Sequence, residues 1–363
     1  FFEATQRHGA KAYTVYNHTF FPIRFAELEE EYWHLINHVT LWDVSVERQV
    51  EITGPDAFKF TNLLTPRDLS KCAVGQGKYV VITADDGGII NDPVLLRLGE
   101  NHFWLALADS DVLLWARGAA LKAGMQVQIT EPDVSPVQIQ GPKAKPVVQA
   151  LFGDKVLKLG YYYFLETKLD GIPVVVTRTG WTGEVGYEVY LRDGSKGDQL
   201  WERIMAAGKP HNIRPTGPSD IRRVEAGILN WGADMTLENN PYEVGLERLV
   251  DEKKRASYVG KAALKRIKTQ GVARKLVGIE LAGERIDFNP VKYPVLAGGR
   301  RVGFVTSALH SPRLKKNIGY AMVPVEHSAL GTRLTVQIPG GGERAATVVP
   351  RPFMDPKKEI PKT

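Results

Sequence analysis

Around Leu264 the chain changes character, and that change restricts its fold more than any other feature. Beyond it, five short runs (KLVGIELA, VGFVTSAL, NIGYAMV, RLTVQIP, RAATVVP) are separated by Gly, Pro and charged turns. Short strands with turn signals between them predict a small all-β barrel or sandwich. Before Leu264, strands alternate with helices, so the chain as a whole reads as α+β. Helical periodicity covers 26–38, with Leu28, Tyr32, Leu35 and Ile36 on one face behind an acidic first turn. Further helices are predicted over 57–64, 109–123, 194–207 and 219–230, the last with Ser219 as its N-cap. Strands are predicted at 78–83, at FWLALA, and through Leu98 after a tight turn at Asp86, Gly87 and Gly88. The tail from Asp355 reads as loose.

A chain of 363 residues exceeds the size at which a single core stops growing, about 250–300 residues, so two or three domains are expected. No window approaches the roughly 20 unbroken apolar residues of a membrane span. The visible start, Phe1, lacks the apolar core of a secretory signal and reads as trimmed. The lone cysteine, Cys72, excludes an internal disulfide or a thiolate metal cluster and favours a reducing, cytoplasmic setting. Net charge is +6, but Lys and Arg are interspersed with Asp and Glu throughout, so no nucleic-acid partner is expected. A mildly basic surface also suits a small anionic ligand.

One segment, TRTGWTGEVGYEVYL from Thr177 to Leu191, combines an indole, a glycine-rich turn and two carboxylates. Gly180, Gly183 and Gly186 let the backbone turn sharply and approach a ligand closely. On the outgoing strand Glu188 and Tyr190 share a face, a pairing suited to a flat heterocycle with adjacent donors. The plainer alternative is a hairpin in which Glu188 pairs with an arginine such as Arg178.

Several chemistries are absent: no GxxxxGK[ST] loop, no GxGxxG after a strand and no HExxH occur. His34 and His38 stand four apart on a helix without an evident third ligand, so no metal site is expected. After the Gly87-Gly88 turn come Asn91 and Asp92, of which at most one points into a given pocket. Asp92 is either an acid, base or anchor for a ligand, or an Asx-type cap. Aromatics crowd the N-terminus (Tyr13, Tyr16, Phe20, Phe21, Phe25), and Tyr161, Tyr162 and Tyr163 stand in a row.

Seven ordered blocks together resemble the glycine-cleavage T-protein family of folate-dependent aminomethyltransferases and their demethylase relatives. They are LWDVSVERQVEITGPDA, GQGKYVVITADDGGIINDPVLLRL, VQIQGPKA, TRTGWTGEVGYEVYL, RRVEAGILNWGADM, NPYEVGLERLVD with YVGKAAL, and VGFVTSALHSPRLKKNIGYAMV. Within the family, KAYTVYNHTFFP, GIINDPVLLRL and FWLALADSDVLLWA are most similar to the dimethylsulfoniopropionate demethylases. The resemblance implies a three-lobed, cloverleaf-like folate-binding fold. A discontinuous lobe would span 1–45 and 133–264, a second α+β lobe 46–132, and a C-terminal β-barrel 265–363.

By position, the resemblance places tetrahydrofolate between Tyr79 and Tyr190, with Glu188 on the pterin and Arg223 near the folate. It places a tryptophan, Trp181, where aminomethyltransferases usually carry tyrosine. Two departures favour a sulfonium methyl donor over an amine. The family's DVSH reads Asp43, Val44, Ser45, Val46, and its paired aspartates read Asn91, Asp92. A sulfonium has no proton to lose and needs no lipoyl-protein partner. Expected roles are therefore Asp92 as the catalytic group, with Tyr16, Phe20 and Trp181 holding the cation through their ring faces. Arg48 and Arg178 are candidates for the donor's carboxylate. Three alternatives stand beside this reading: the aminomethyltransferase itself, a demethylase of another onium or methoxy compound, and a non-catalytic folate-binding relative. The last carries a KGC-type motif after the glycine-rich strand, whereas Cys72 lies well before it.

Overall fold

The computed structural model describes every residue except Ser110, so the start of the helix predicted from 109 lies partly outside the described residues. That helix runs Val112–Ala123 and ends on Gly124 in the left-handed conformation. The helices Leu28–Asn37 and Ala57–Leu64 form where their periodicity predicts. Two other elements are shorter than predicted. A single 3-10 turn precedes the helix Gly197–Gly208. The helix capped by the Ser219 hydroxyl covers only Asp220–Glu225, because Gly227 turns the chain at φ +69°. The strand predicted over 78–83 is broken into Gln76–Tyr79 and Ile82–Thr83, which pair with different partners.

Two sheets and a barrel carry the fold. In the first sheet, Gln128–Thr130, Gln49–Thr53, His102–Ala106, Val94–Gly99 and Gln76–Tyr79 lie side by side, all antiparallel. One face packs Val50, Ile52, Leu95 and Phe103 against the helices Ala57–Leu64 and Val112–Ala123. The other face presents Leu96, Leu98 and Trp104 to Phe164, Val175 and Tyr190 of the second sheet.

The second sheet orders six strands as Phe164–Leu169, Ile172–Thr177, Gly186–Leu191, Ser135–Gln140, Val39–Asp43 and Ile213–Pro215. Alternation gives it two unlike faces. Val137, Ile139, Tyr187, Val189, Val174 and Val176 point into a core closed by the helices Ala144–Phe152 and Gly197–Gly208. The intervening residues, Gln138, Glu188 and Tyr190, stand on the opposite face and are buried there.

After Leu264 the predicted β region is a closed six-stranded barrel, not a sandwich. Its sixth strand, Tyr293–Ala297, was not among the five runs read from sequence. The expectation of a loose tail is corrected. Met354 donates its N–H to the Glu225 carbonyl, Pro361 is buried, and Arg178 donates to the carbonyls of Pro361 and Thr363. These bonds tie the tail to the helix Asp220–Glu225 and to the residue after the strand Ile172–Thr177.

Candidate functional site

Strand register builds the site. Thr177 lies opposite Glu188 and Glu188 opposite Gln138, so three adjacent strands deliver one polar row, with the Trp42 indole next to it on the fourth. Glu188 is 3% exposed and is held by four side chains. Gln138 donates to its Oε1 at 2.7 Å, while Thr179, Tyr190 and Thr177 donate to its Oε2 at 2.5, 2.9 and 3.3 Å. Burial pushes its carboxyl above the usual range, and these donors pull in the opposite direction. No cation lies within ion-pair distance among the described residues. The hairpin alternative is corrected: Arg178 turns instead to the carbonyls of Leu159, Pro361 and Thr363.

The glycines around Trp181 have a different reason from the one expected. A Cβ at Gly180 or Gly186 would sit 2.2 Å from the Gln140 amide, so both glycines make room for a side chain of the neighbouring strand. Gly183, at φ +67°, supplies the turn itself.

A second carboxylate, Glu47, enters from the turn after Val39–Asp43, and the Gln138 amide also donates to its Oε1, at 3.3 Å. Gln138 thus bridges two acids, and its own Oε1 is buried without a partner. Nothing in the sequence singled out Glu47 or Gln138. The available signal was the alternation of Gln138 and Gln140 with Val137 and Ile139, which sets polar side chains on an otherwise apolar strand. A third acid, Asp92, accepts the Tyr79 hydroxyl at 2.8 Å. Burial raises the Asp92 carboxyl to about 7, against the pull of that hydrogen bond. Asn91 points the other way, where its amide exchanges hydrogen bonds with the backbone of Ala108 at 3.0 and 3.1 Å. Burial pushes the Tyr16 phenol up against the pull of a hydrogen bond at Asp109, and the charges of Asp92 and Glu47 add to the shift.

The predicted aromatic group divides. Tyr16 faces the acids, and its hydroxyl lies 3.4 Å from both Asn230 Oδ1 and the Trp231 carbonyl. Phe20 is on the opposite face of the Ala12–Tyr16/Thr19–Arg24 hairpin, paired with Val15, half exposed and stacked on Tyr13. Phe20, expected to hold the cation together with Tyr16, does not lie on the same face of the hairpin, and Phe21 is the hairpin phenylalanine that packs against Tyr16. Trp181 packs on Leu35, Trp42 and Val44, and Arg223 covers its ring at 5.5 Å. Arg223 is fully buried and ion-paired to Asp220 and Asp234 at 2.6 and 2.8 Å. It also donates to Ser307 of the barrel. Tyr190 lies beside Glu188, with its ring 6.3 Å from Trp104. Arg48 is paired with Glu131 at the surface, so neither arginine suggested for the donor's carboxylate is free.

A cavity of about 670 Å³ has Tyr79, Tyr161 and Tyr162 on its wall. Its lining includes Arg67, Arg248, Arg351, Lys78, Lys358 and Lys362, and no Asp or Glu. Burial and the charge of Arg248 depress both Arg67 and Lys358, as expected for cations crowded without counter-ions. Cys72 is buried, and burial raises its thiol, which makes it a poor nucleophile. Among the described residues no group of His, Cys, Asp and Glu is arranged to hold a metal, and no helix is long and apolar enough to cross a membrane. His34 instead bonds the Asn212 carbonyl at 2.7 Å.

The fold is that of a known family. Residues 1–254 match the GCVT N-terminal domain, and residues 274–355 match the glycine cleavage T-protein C-terminal barrel domain. The chain belongs to the glycine cleavage T-protein family. It is 41% identical over 333 residues to the dimethylsulfoniopropionate demethylase of Ruegeria pomeroyi, covering 92% of this chain and 91% of that one. It is 35% identical over 342 residues to an aminomethyltransferase of Shouchella clausii, with the same coverage. The crystal structure of the glycine cleavage aminomethyltransferase T from Bartonella henselae superposes with a TM-score of 0.87 over 97% of this chain and 96% of that one, at 24% identity.

Proposed function

We propose that this chain is a tetrahydrofolate-dependent demethylase of dimethylsulfoniopropionate, yielding methylthiopropionate and 5-methyltetrahydrofolate. The similarity to the Ruegeria pomeroyi demethylase supports the donor. The observation that carries the folate half is the buried Glu188 with Gln138 beside it. Oε2 of Glu188 is taken by three hydroxyls, but Oε1 has one donor only, and Gln138 Oε1 has none. Buried acceptors in want of donors fit the amine and ring N–H of a pterin edge. The cationic cavity at Tyr79 fits the carboxylates at the other end of a folate.

In this reading tetrahydrofolate supplies a ring nitrogen nucleophile that accepts the methyl group. The protein positions both reactants and excludes water. Glu188 and Gln138 fix the pterin, Tyr79 and Tyr190 border it, and Tyr16 and Trp181 face the sulfonium. Asp92, with a pKa near 7, is suited to take the proton released from the folate nitrogen after transfer. Arg223 acts through Trp181, whose ring it backs. Lobe boundaries are proposed at 45/46, 132/133 and 264/265. A cytoplasmic location and independence from a lipoyl-protein partner belong to the same proposal.

Incubating the purified protein with tetrahydrofolate and a panel of donors tests this. Methylthiopropionate release with dimethylsulfoniopropionate supports the reading. Turnover of glycine betaine, of a methoxy compound, or of aminomethyl-lipoyl protein in its place would overturn it.

A further inference from the structure

Glu47 is not accounted for by the fold or by the folate site. Of the three acids gathered here, Glu188 has four hydrogen-bond donors and Asp92 has the Tyr79 hydroxyl. Glu47 has only the long contact from Gln138 to Oε1, and among the described residues its Oε2 has no hydrogen-bond or ion-pair partner. It is half-buried, so that oxygen is open to a small ligand. Glu188 and Asp92 both act on it electrostatically, and with burial they push its carboxyl well up, yet no Lys or Arg approaches. Three acids this close are costly if all are charged, so protons or a cation must balance them. Gln138, which is fully buried, bridges two of the acids and leaves its own Oε1, the acceptor assigned above to the pterin, unpartnered, so the cluster opens onto the ligand site. The neighbouring aromatic, Tyr16, lies within the field of both Glu47 and Asp92.

We propose that Glu47 is the counter-charge for the methyl donor's onium centre and sets the preference for a cationic over a neutral substrate; this rests on the demethylase reading above. A bound sulfonium favours the ionised form of Glu47, whose carboxylate then attracts it before transfer. Because positive charge leaves the sulfur as the methyl departs, its attraction acts mainly on binding and little on the chemical step.

Glu47→Gln keeps shape and removes charge, and Glu47→Met is a second neutral variant should the first not fold, with a thermal melt as the check. The KM for the sulfonium should rise about tenfold or more, with kcat changed by less than about threefold and the KM for tetrahydrofolate unmoved. Calorimetry without tetrahydrofolate, using two analogues that differ in the charge of the central atom, supplies a readout that a structural role would not move. These are 3-(trimethylammonio)propionate and its neutral carbon analogue, 4,4-dimethylpentanoate. The native protein should bind the ammonium compound more tightly, the neutral variants should lose that ratio, and Glu47→Asp should retain part of it. An unchanged ratio in both neutral variants, or no cation preference in the native protein, overturns the proposal. A ratio that collapses as expected in a protein that demethylates no sulfonium would keep the counter-charge and reject the demethylase reading.

Discussion

The Tyr79 hydroxyl donates to the Asp92 carboxylate at 2.8 Å, tying the wall of the cationic cavity to the acidic end of the site. The same tyrosine receives Arg67 on its carbonyl, and Arg248 lies over its ring at 5.8 Å. A single residue therefore stands between a region lined by cations and a region lined by acids. That polarity matches an acceptor that carries carboxylates at one end and meets a cationic donor at the other.

Asp92 should set a limb of the pH–rate profile. Burial raises its pKa to about 7, so deprotonation falls in the working range, and rate should climb with pH through that value if Asp92 accepts a proton. Asp92→Asn should remove the limb and lower kcat by about 10²-fold. The stability effect has the opposite sign. A carboxyl whose folded pKa exceeds its unfolded value, about 3.9, favours the folded state at low pH and loses that contribution as pH rises towards 7. Thermal melts from pH 5 to 8 should therefore fall less steeply in the asparagine variant.

Replacing Glu188 by glutamine should leave a folded protein with kcat/KM reduced about 10²-fold or more, since the three hydroxyls on Oε2 would face a mixed donor and acceptor group. Tetrahydrofolate binding by calorimetry should weaken in parallel. Unaltered folate affinity would remove Glu188 from the pterin site.

The two faces of the N-terminal hairpin should separate in a paired experiment. Phe20→Ala strips an exposed ring stacked on Tyr13, so turnover should stay within about twofold of native. Tyr16→Ala should raise the KM for the sulfonium about tenfold, since ring–cation attraction is worth about 0.5–2 kcal/mol. Tyr16→Phe should cost little, because its hydroxyl contacts are 3.4 Å long.

Exchanging both Arg248 and Lys358 for alanine should raise the KM for tetrahydrofolate about tenfold and flatten its dependence on ionic strength, leaving the KM for the donor unaltered. Initial rates at two salt concentrations provide the check.

Periodicity and turn residues were enough to read the α+β class, the C-terminal β region and most helix positions, because they act over a few neighbouring residues. The pairing of Glu188 with Tyr190 on one face followed in the same way, from strand alternation alone. Long-range register lay beyond such reasoning: Glu188 meets Gln138 from 50 residues away, and Glu47 reaches the same amide across 91. Alternation likewise left open which of Asn91 and Asp92 turns inward, a choice made by the backbone of Ala108 capturing the asparagine amide. Phe20 and Phe21 are indistinguishable by composition, and the hairpin register assigns one outward and one to Tyr16. Local sequence thus determined most of the elements that form and the chemistry they carry. Tertiary packing alone decided which charges share a space without a counter-ion, because electrostatic coupling depends on distance and burial, and neither is written in the order of residues.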